Sequence, residues 1–367
     1  MSTPKQFMDC IAPMPIVEAL NPACWGAAAV GARDQGNGLE DRTMSDYSYW
    51  DGAVLKDPKS GRYYMFASRW EQKGGHWGND DGPGWRGSQA VYAVSDSLFG
   101  PYADQGPLWP DWCEGAGHNV FPFLLSESDP LHADGYRYAV CVSDTGRHGE
   151  TANGTFHIAK SLDGPWELPE NGCGGRLNCD GAFLLSNVSV AVRPGGGYLA
   201  LDRRGNIAAA DSIAGVWRTR LEGLWATIPC MKDRVRYIED GVIWHSGGLY
   251  RIVVNDWEAR QAYYLTSPDG LSWTLHSGLA YTPKAGYIRY ENGLVNRWTK
   301  VERPSVYIED GRVTAMTFAV IDVQKEEDLG NDDHGSKVIV VPFDGEKLAL
   351  LDGARESQAV SPERNGH

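Results

Sequence analysis

Positive charge is scarce in this chain of 367 residues: 34 Lys and Arg stand against 48 Asp and Glu, for a formal net charge of -14. Nucleic acids and anionic membrane surfaces both need a basic footprint, so neither is expected as a partner. Long apolar runs are missing as well, and nothing approaches the roughly 18 residues of a membrane-spanning helix. The stretch from Met1 to Leu20 has no apolar core behind a basic start and is interrupted by Pro13 and Pro15. It does not read as a secretory leader, which points to a cytoplasmic protein. Cysteines number 7, an odd count without a CxxC pair. Cys173 and Cys179 flank a Gly-rich loop, but a bridge between them is not expected in a reducing compartment. Sustained helical periodicity is also absent, which excludes α-solenoids and α/β barrels.

What the chain does contain is a repeated phrase: an apolar run, a Ser/Asp/Gly turn, then an aromatic. It runs from Ala93-Val94-Ser95-Asp96 to Tyr102, from Ile158-Ala159-Lys160-Ser161 to Trp166, from Ala209-Ala210-Asp211-Ser212 to Trp217, and from Leu265-Thr266-Ser267 to Trp273. A degenerate copy, Val340-Val341-Pro342-Phe343-Asp344-Gly345, follows later. The copies lie roughly 50 to 65 residues apart, a period of solenoids, propellers and arrays. Each turn is preceded by two apolar runs joined by a polar turn, as in Gly241-Val242-Ile243-Trp244, His245-Ser246-Gly247-Gly248 and Leu249-Tyr250-Arg251-Ile252. That is the pattern of antiparallel strands.

Five such units predict an all-β, five-bladed β-propeller with four antiparallel strands per blade. A β-sandwich would not explain why one turn phrase recurs in phase. Residues 1–46 are expected to be an extension packing on or closing the propeller, residues 47–350 the propeller itself, and residues 351–367 a poorly ordered tail. The turn aromatics are expected to pack between blades.

In a propeller the innermost strands start, and the second strands end, at one shared mouth. The inner starts read Trp50-Asp51, His118-Asn119, Ser186-Asn187, Glu239-Asp240 and Glu302-Arg303, and the second-strand ends include Arg69-Trp70, Arg203 and Asp256-Trp257. Asp51, His118, Asn187, Asp240 and Glu302 are read as equivalent positions around one axis. Converging carboxylates repel one another and call for a reason to be kept. Acids, forked donors and indole faces together make a carbohydrate pocket, with Arg69, Trp70, Asn119, Asn187, Arg203, Asp256, Trp257 and Arg303 as substrate-binding candidates. The Gly-rich loop Gly74–Arg86 should overhang the mouth and offers His76, Trp77, Trp85 and Arg86. The later run Lys325-Glu326-Glu327-Asp328 reads as a solvated loop.

With these residues the chain resembles the five-bladed propeller glycoside hydrolases, families 43 and 117 among them. The likeness rests on Trp50-Asp51-Gly52-Ala53-Val54, Ser68-Arg69-Trp70, Ile238-Glu239-Asp240 and Glu302-Arg303-Pro304, over residues 46 to 350. It implies cleavage of a glycosidic bond, most often with inversion, by a carboxylate base, a carboxylic acid and a third carboxylate that tunes the acid. Asp51 on the first blade corresponds to the base, Glu302 and Glu239 compete for the acid, and Asp240 is the tuner or an acceptor for substrate hydroxyls. Blades two and three depart from family 43 by starting with His118-Asn119 and Ser186-Asn187; family 117 is thought to use a histidine as acid, which brings in His118. His118 is also the candidate ligand for a structural cation in the channel, although no metal site or cofactor is required.

The expected partner is therefore an oligosaccharide, attacked at a chain end, with the oligomeric state left open. Two other readings stand beside hydrolysis. A lyase on the same scaffold would use His118, Asn119, Arg69 and Arg203 against a uronate, and a non-catalytic propeller would only bind sugar.

Overall fold

The computed structural model describes residues 4–144, 154–183, 186–276, 278–331 and 333–359. Ahead of the repeats, β1 (Leu20–Asn21) and β2 (Arg33–Asp34) form a short antiparallel pair. Blade one follows as β3 (Tyr47–Lys56), β4 (Tyr63–Glu71), β5 (Gln89–Ser95) and β6 (Ala103–Pro107). Blade two is β7 (His118–Leu124), β8 (Tyr138–Asp144) and β9 (Thr155–Ala159). Blade three gathers β10 (Asn178–Asp180), β11 (Ser189–Val192), β12 (Tyr198–Leu201), β13 (Ile207–Ala210) and β14 (Val216–Leu221). Blade four is β15 (Ile238–Ser246), β16 (Leu249–Asp256), β17 (Gln261–Ser267) and β18 (Thr274–Leu275); blade five is β19 (Lys300–Glu309), β20 (Arg312–Ile321) and β21 (Ser336–Pro342).

The inner strands β3, β7, β11, β15 and β19 contact one another in cyclic order, and β19 returns to β3. The protein is an all-β, five-bladed propeller. Its blades do not have four strands each, as the sequence leads one to expect. Blade two replaces an outer strand by isolated bridges, Ile158 with Glu167 and Thr155 with Arg176, while blade three gains β10, paired parallel to β14.

Strands inside a blade are covered on both faces by neighbouring blades, so they read as continuous apolar runs rather than alternating ones. In β4, Met65, Phe66 and Ala67 are all fully buried. The turn aromatics supply much of the material between blades. Trp217 of blade three stacks on Phe156 of blade two at 5.6 Å, and Trp166 of blade two meets Phe66 of blade one edge-on at 5.6 Å.

The last blade is completed from the other end of the chain. Leu39 exchanges backbone hydrogen bonds with Val338 at 2.9 and 3.0 Å, and the Asn37 side chain brackets Val340 through two more of 3.0 Å. Beneath this segment Glu40 bridges Arg33 at 2.7 Å and Lys337 at 2.6 Å, all three side chains buried. A closing helix, Gly345–Ala359, buries Leu348 and Leu351. Its Asp352 accepts from Arg251 at 2.7 Å. Residues 351–359, expected to begin a tail, thus continue this helix, and the rest of that expected tail, 360–367, lies outside the described residues. All seven cysteines, Cys173 and Cys179 included, are free thiols. No described helix is long and apolar enough to cross a membrane.

Candidate active site at the channel mouth

Five residues, one from each inner strand or its entry, share the left-handed backbone region: Asp51 (φ 65), Asn119 (56), Asn187 (51), Asp240 (59) and Arg303 (51). Short Asp and Asn side chains tolerate this region, and a longer residue such as Arg303 enters it at a cost in strain. The strand pairing breaks at the same places, between Asp51 and Ala53, Glu239 and Val242, and Glu302 and Ser305. A bulge inserts one residue and re-aims a side chain. Here it does so in blades one, four and five, and with Asn119 and Asn187 of blades two and three the five side chains form a ring across the channel.

The ring is hydrogen-bonded almost all the way round. Asn119 Nδ2 donates to Asn187 Oδ1 at 2.7 Å, and Asn187 Nδ2 to Asp240 Oδ1 at 2.7 Å. Arg303 Nη1 donates to Asp240 Oδ1 at 3.0 Å, and its Nε pairs with Asp51 Oδ1 at 2.7 Å. Asp51 Oδ2 accepts from Ser68 Oγ and from the Val120 amide at 3.2 Å, one residue beyond Asn119. The expected set of equivalent positions is corrected by this ring. Asp51, Asn187 and Asp240 belong to it, but Asn119 and Arg303 stand where His118 and Glu302 were expected, because a one-residue slip moves a strand residue to the other face.

Above the ring lies a cavity of ≈ 260 Å³. Trp50, Trp77 and Trp85 supply indole surface; His76 and His118, with Asn119 and Asn187, supply polar contacts. Arg203, Glu239, Asp240, Arg303 and Lys325 bring the charges. The far end of the channel is a different environment, a cavity of ≈ 310 Å³ between apolar side chains such as Leu55, Phe123, Trp244 and Ile308. Ionisable chemistry is concentrated at the mouth where the inner strands start.

The Gly-rich loop after β4 does overhang this mouth, and it is docked. A side chain at Gly75 would collide with the Asp328 carbonyl at 2.3 Å, and Asn79 Nδ2 donates to both Lys73 O and Leu329 O at 2.9 Å. His76 sits edge-on to Trp50, Trp70 and Trp77 at 5.1 to 5.4 Å. Burial first, then the nearby Lys325, His118 and Lys300, push its imidazole well below the usual range, so it is neutral. Trp77 stands at the rim, 42% exposed. His118 lies against the Trp85 ring at 4.9 Å, with Nδ1 3.0 Å from Ser88 Oγ.

Glu239 is the carboxyl most altered by the site. Burial first and the Asp240 carboxylate second raise it to about 7, against the lowering pull of Arg203 and Lys325. Arg203 Nη2 lies 2.5 Å from Glu239 Oε2. On the other side of the mouth Lys325 Nζ lies 2.6 Å from Glu302 Oε2 and 4.6 Å over the Trp50 ring. Burial alone would lower this ammonium, but Glu302, with Asp240 and Glu239, outweighs burial and holds it above its usual range.

The remaining expected site residues lie elsewhere. Asp51 and Glu302 are buried below the cavity floor, outside its lining. Arg69 points into the flank of blade one, paired with Asp104 at 2.7 Å and set over Tyr47. Trp70 is buried behind His76 and His118, its Nε1 donating to Gly75 O at 3.1 Å. Asp256 is clamped by Arg234 at 2.5 and 2.8 Å, and Trp257 packs on Tyr237 at 5.3 Å. Lys325, read as part of a solvated run, instead lines the cavity with only 17% of its side chain exposed. Trp85, offered by the overhanging loop, lines it as well, and so does Trp50, for which the neighbouring Asp51 is the available signal. Among the described residues no cluster of His, Cys, Asp or Glu is arranged to hold a metal ion.

No protein-family model and no curated protein matches the sequence. Solved structures do resemble it. A family 117 glycoside hydrolase produced by the marine bacterium Zobellia galactanivorans is 13% identical, over 86% of this chain and 89% of its own, with a TM-score of 0.51. The catalytic domain of a Coprinopsis cinerea GH62 α-L-arabinofuranosidase is 12% identical, over 84% and 98%, with a TM-score of 0.52. A thermostable family-43 glycoside hydrolase is 12% identical, over 81% and 89%, with a TM-score of 0.49. At such identities the likeness is one of fold: the chain shares the five-bladed β-propeller of the family 117 and GH62 proteins.

Proposed function

We propose that the protein is a glycoside hydrolase that removes sugar from a chain end in the mouth pocket, with Glu239 as proton donor to the leaving oxygen. The observation that carries this reading is the state of Glu239: a cavity-lining carboxyl held near 7 by burial and by Asp240. An acid catalyst works best when its pKa lies close to the working pH. Glu302, the competing acid, is covered by Lys325 and does not line the cavity.

Asp240 is assigned the activation of water. Its Oδ1 accepts from Asn187 and Arg303, while Oδ2 takes no hydrogen bond among the described residues and is left for a water. Asp51, the base implied by family resemblance, has Oδ1 in the Arg303 ion pair and Oδ2 in hydrogen bonds; its assigned part is to hold Arg303. The indoles of Trp50, Trp77 and Trp85 offer apolar faces to a sugar ring. The ring beneath floors the cavity and makes it a pit, which favours a chain end over a mid-chain segment. Attack by an activated water in a single displacement inverts the anomeric centre.

The test is incubation with a panel of oligosaccharides, with the first-formed anomer followed by NMR. Release of a terminal sugar with inverted configuration is the expected result, lost in Asp240→Asn. An unsaturated product would mean elimination, and saturable binding without product would mean a binding propeller; either result overturns the proposal.

A further inference from the structure

The mouth presents positive charge in a chain whose net charge is -14. Three cations line the cavity, Arg203, Arg303 and Lys325. Two of them have their counter-ions on the far side: Asp51 pairs with Arg303, and Glu302 with Lys325, and both carboxylates lie below the floor with side chains only 2% exposed. A ligand in the pit therefore meets the cationic heads before their partners. Of the two carboxyls that do line the cavity, Asp240 spends one oxygen on Asn187 and Arg303.

Arg203 differs from the other two cations. Its side chain is 47% exposed, and its partner Glu239 is itself a lining residue. The backbone beneath it is fixed at both ends, the amide donating to Ser186 O and the carbonyl accepting from Trp225 Nε1, each at 3.0 Å. A planar donor fork on an anchored backbone at a rim is suited to two-point contact with a carboxylate or an ester sulfate. Such a ligand anion would share Arg203 with Glu239, next to the bond that Glu239 is proposed to protonate.

We infer that the pocket selects a sugar carrying an anionic substituent, a uronate carboxylate or a sulfate ester, and that Arg203 is the residue that recognises it. The inference rests on the glycosidase reading of this mouth and adds the substrate class to it. Cationic heads that face the pit, with their partners behind them, give an anionic substituent a local attraction that the net charge of the chain does not.

The experiment is calorimetric binding of matched methyl glycosides to the full chain: galactoside, galacturonoside and galactoside 6-sulfate, and the corresponding gluco series. The expected result is tighter binding of an acidic member than of its neutral counterpart, with the carboxylate and sulfate arms deciding the source of the charge. Arg203→Gln should remove about 10- to 100-fold of the acidic ligand's affinity, as for a charge-assisted contact, and leave the neutral ligand within about 2-fold. Arg203→Lys should restore part of the difference, and added salt should shrink it. Equal binding of acidic and neutral members, or an equal loss for both in Arg203→Gln, overturns the inference while leaving hydrolysis of neutral sugars intact. Absence of binding by either class overturns the inference together with the sugar-pocket reading beneath it.

Discussion

Arg303 Nε lies 2.7 Å from Asp51 Oδ1, an ion pair that joins the inner strands of the last and first blades. The same guanidinium reaches Asp240 at 3.0 Å, so one cation neutralises carboxylates from two other blades. Removing it leaves two buried acids facing each other. Arg303→Gln should lower the unfolding free energy by about 3 to 5 kcal/mol, the usual cost of breaking a buried pair. Arg303→Lys should recover part of that, since a point charge cannot reproduce the fork. Denaturant unfolding measures both, and a loss within about 0.5 kcal/mol for Arg303→Gln would show that the ring is not held by this residue.

Glu239 gives the protein a pH dependence of definite sign. Its folded value, about 7, lies above the ordinary 4.5. The folded state therefore keeps a proton that the unfolded chain releases; this contribution to stability is full below about 4.5 and is lost as pH rises through about 7. Glu239→Gln cannot titrate, so relative to wild type it should gain about 1 to 3 kcal/mol between pH 5 and pH 8. Thermal unfolding at both pH values tests this, and a constant difference between the two proteins would contradict it. The alkaline limb of kcat/KM should fall near pH 7 for the same reason.

Lys325 and Glu302 should behave as a coupled pair. Each is largely buried with the other as partner at 2.6 Å. Lys325→Met should destabilise by about 1 to 3 kcal/mol because Glu302 is left with the more distant Lys300, at 3.6 Å, and adding Glu302→Gln should recover most of the loss. Additive effects in the double-mutant cycle would mean that the pair does not interact.

Trp77 stands at the rim with much of its ring in water. Trp77→Ala should leave the melting temperature nearly unchanged and weaken sugar binding about 2- to 10-fold, the scale of one aromatic contact. Unchanged affinity would remove this indole from the binding surface.

The blade phase and the mouth were legible in the sequence because turn chemistry is local: the Ser/Asp/Gly phrase marks each blade, and counting back from it reaches Asp51, Asn187 and Asp240. The bulge was not legible. It adds one residue beside Glu302, so that Arg303 and not Glu302 enters the ring; in blade two the register runs unbroken, and the left-handed backbone of Asn119 brings that residue rather than His118 into the ring. Strand position alone puts Arg69 and Asp256 at the mouth, but which face a side chain takes depends on partners such as Asp104 and Arg234, distant in the sequence. Lys325 was hidden for a related reason. A Lys-Glu-Glu-Asp run has the composition of solvent-exposed loop, and only the fold sets its first residue against Glu302 and Trp50.

The central claim is that Glu239 delivers the proton to the leaving group. The most direct measurement compares wild type and Glu239→Gln on two substrates with the same terminal sugar, one with a natural glycosidic linkage and one with a dinitrophenyl leaving group that departs without protonation. If Glu239 is the proton donor, Glu239→Gln loses about 100-fold or more on the natural linkage and much less on the activated substrate. Equal losses on both, or wild-type turnover on the natural linkage, would contradict it.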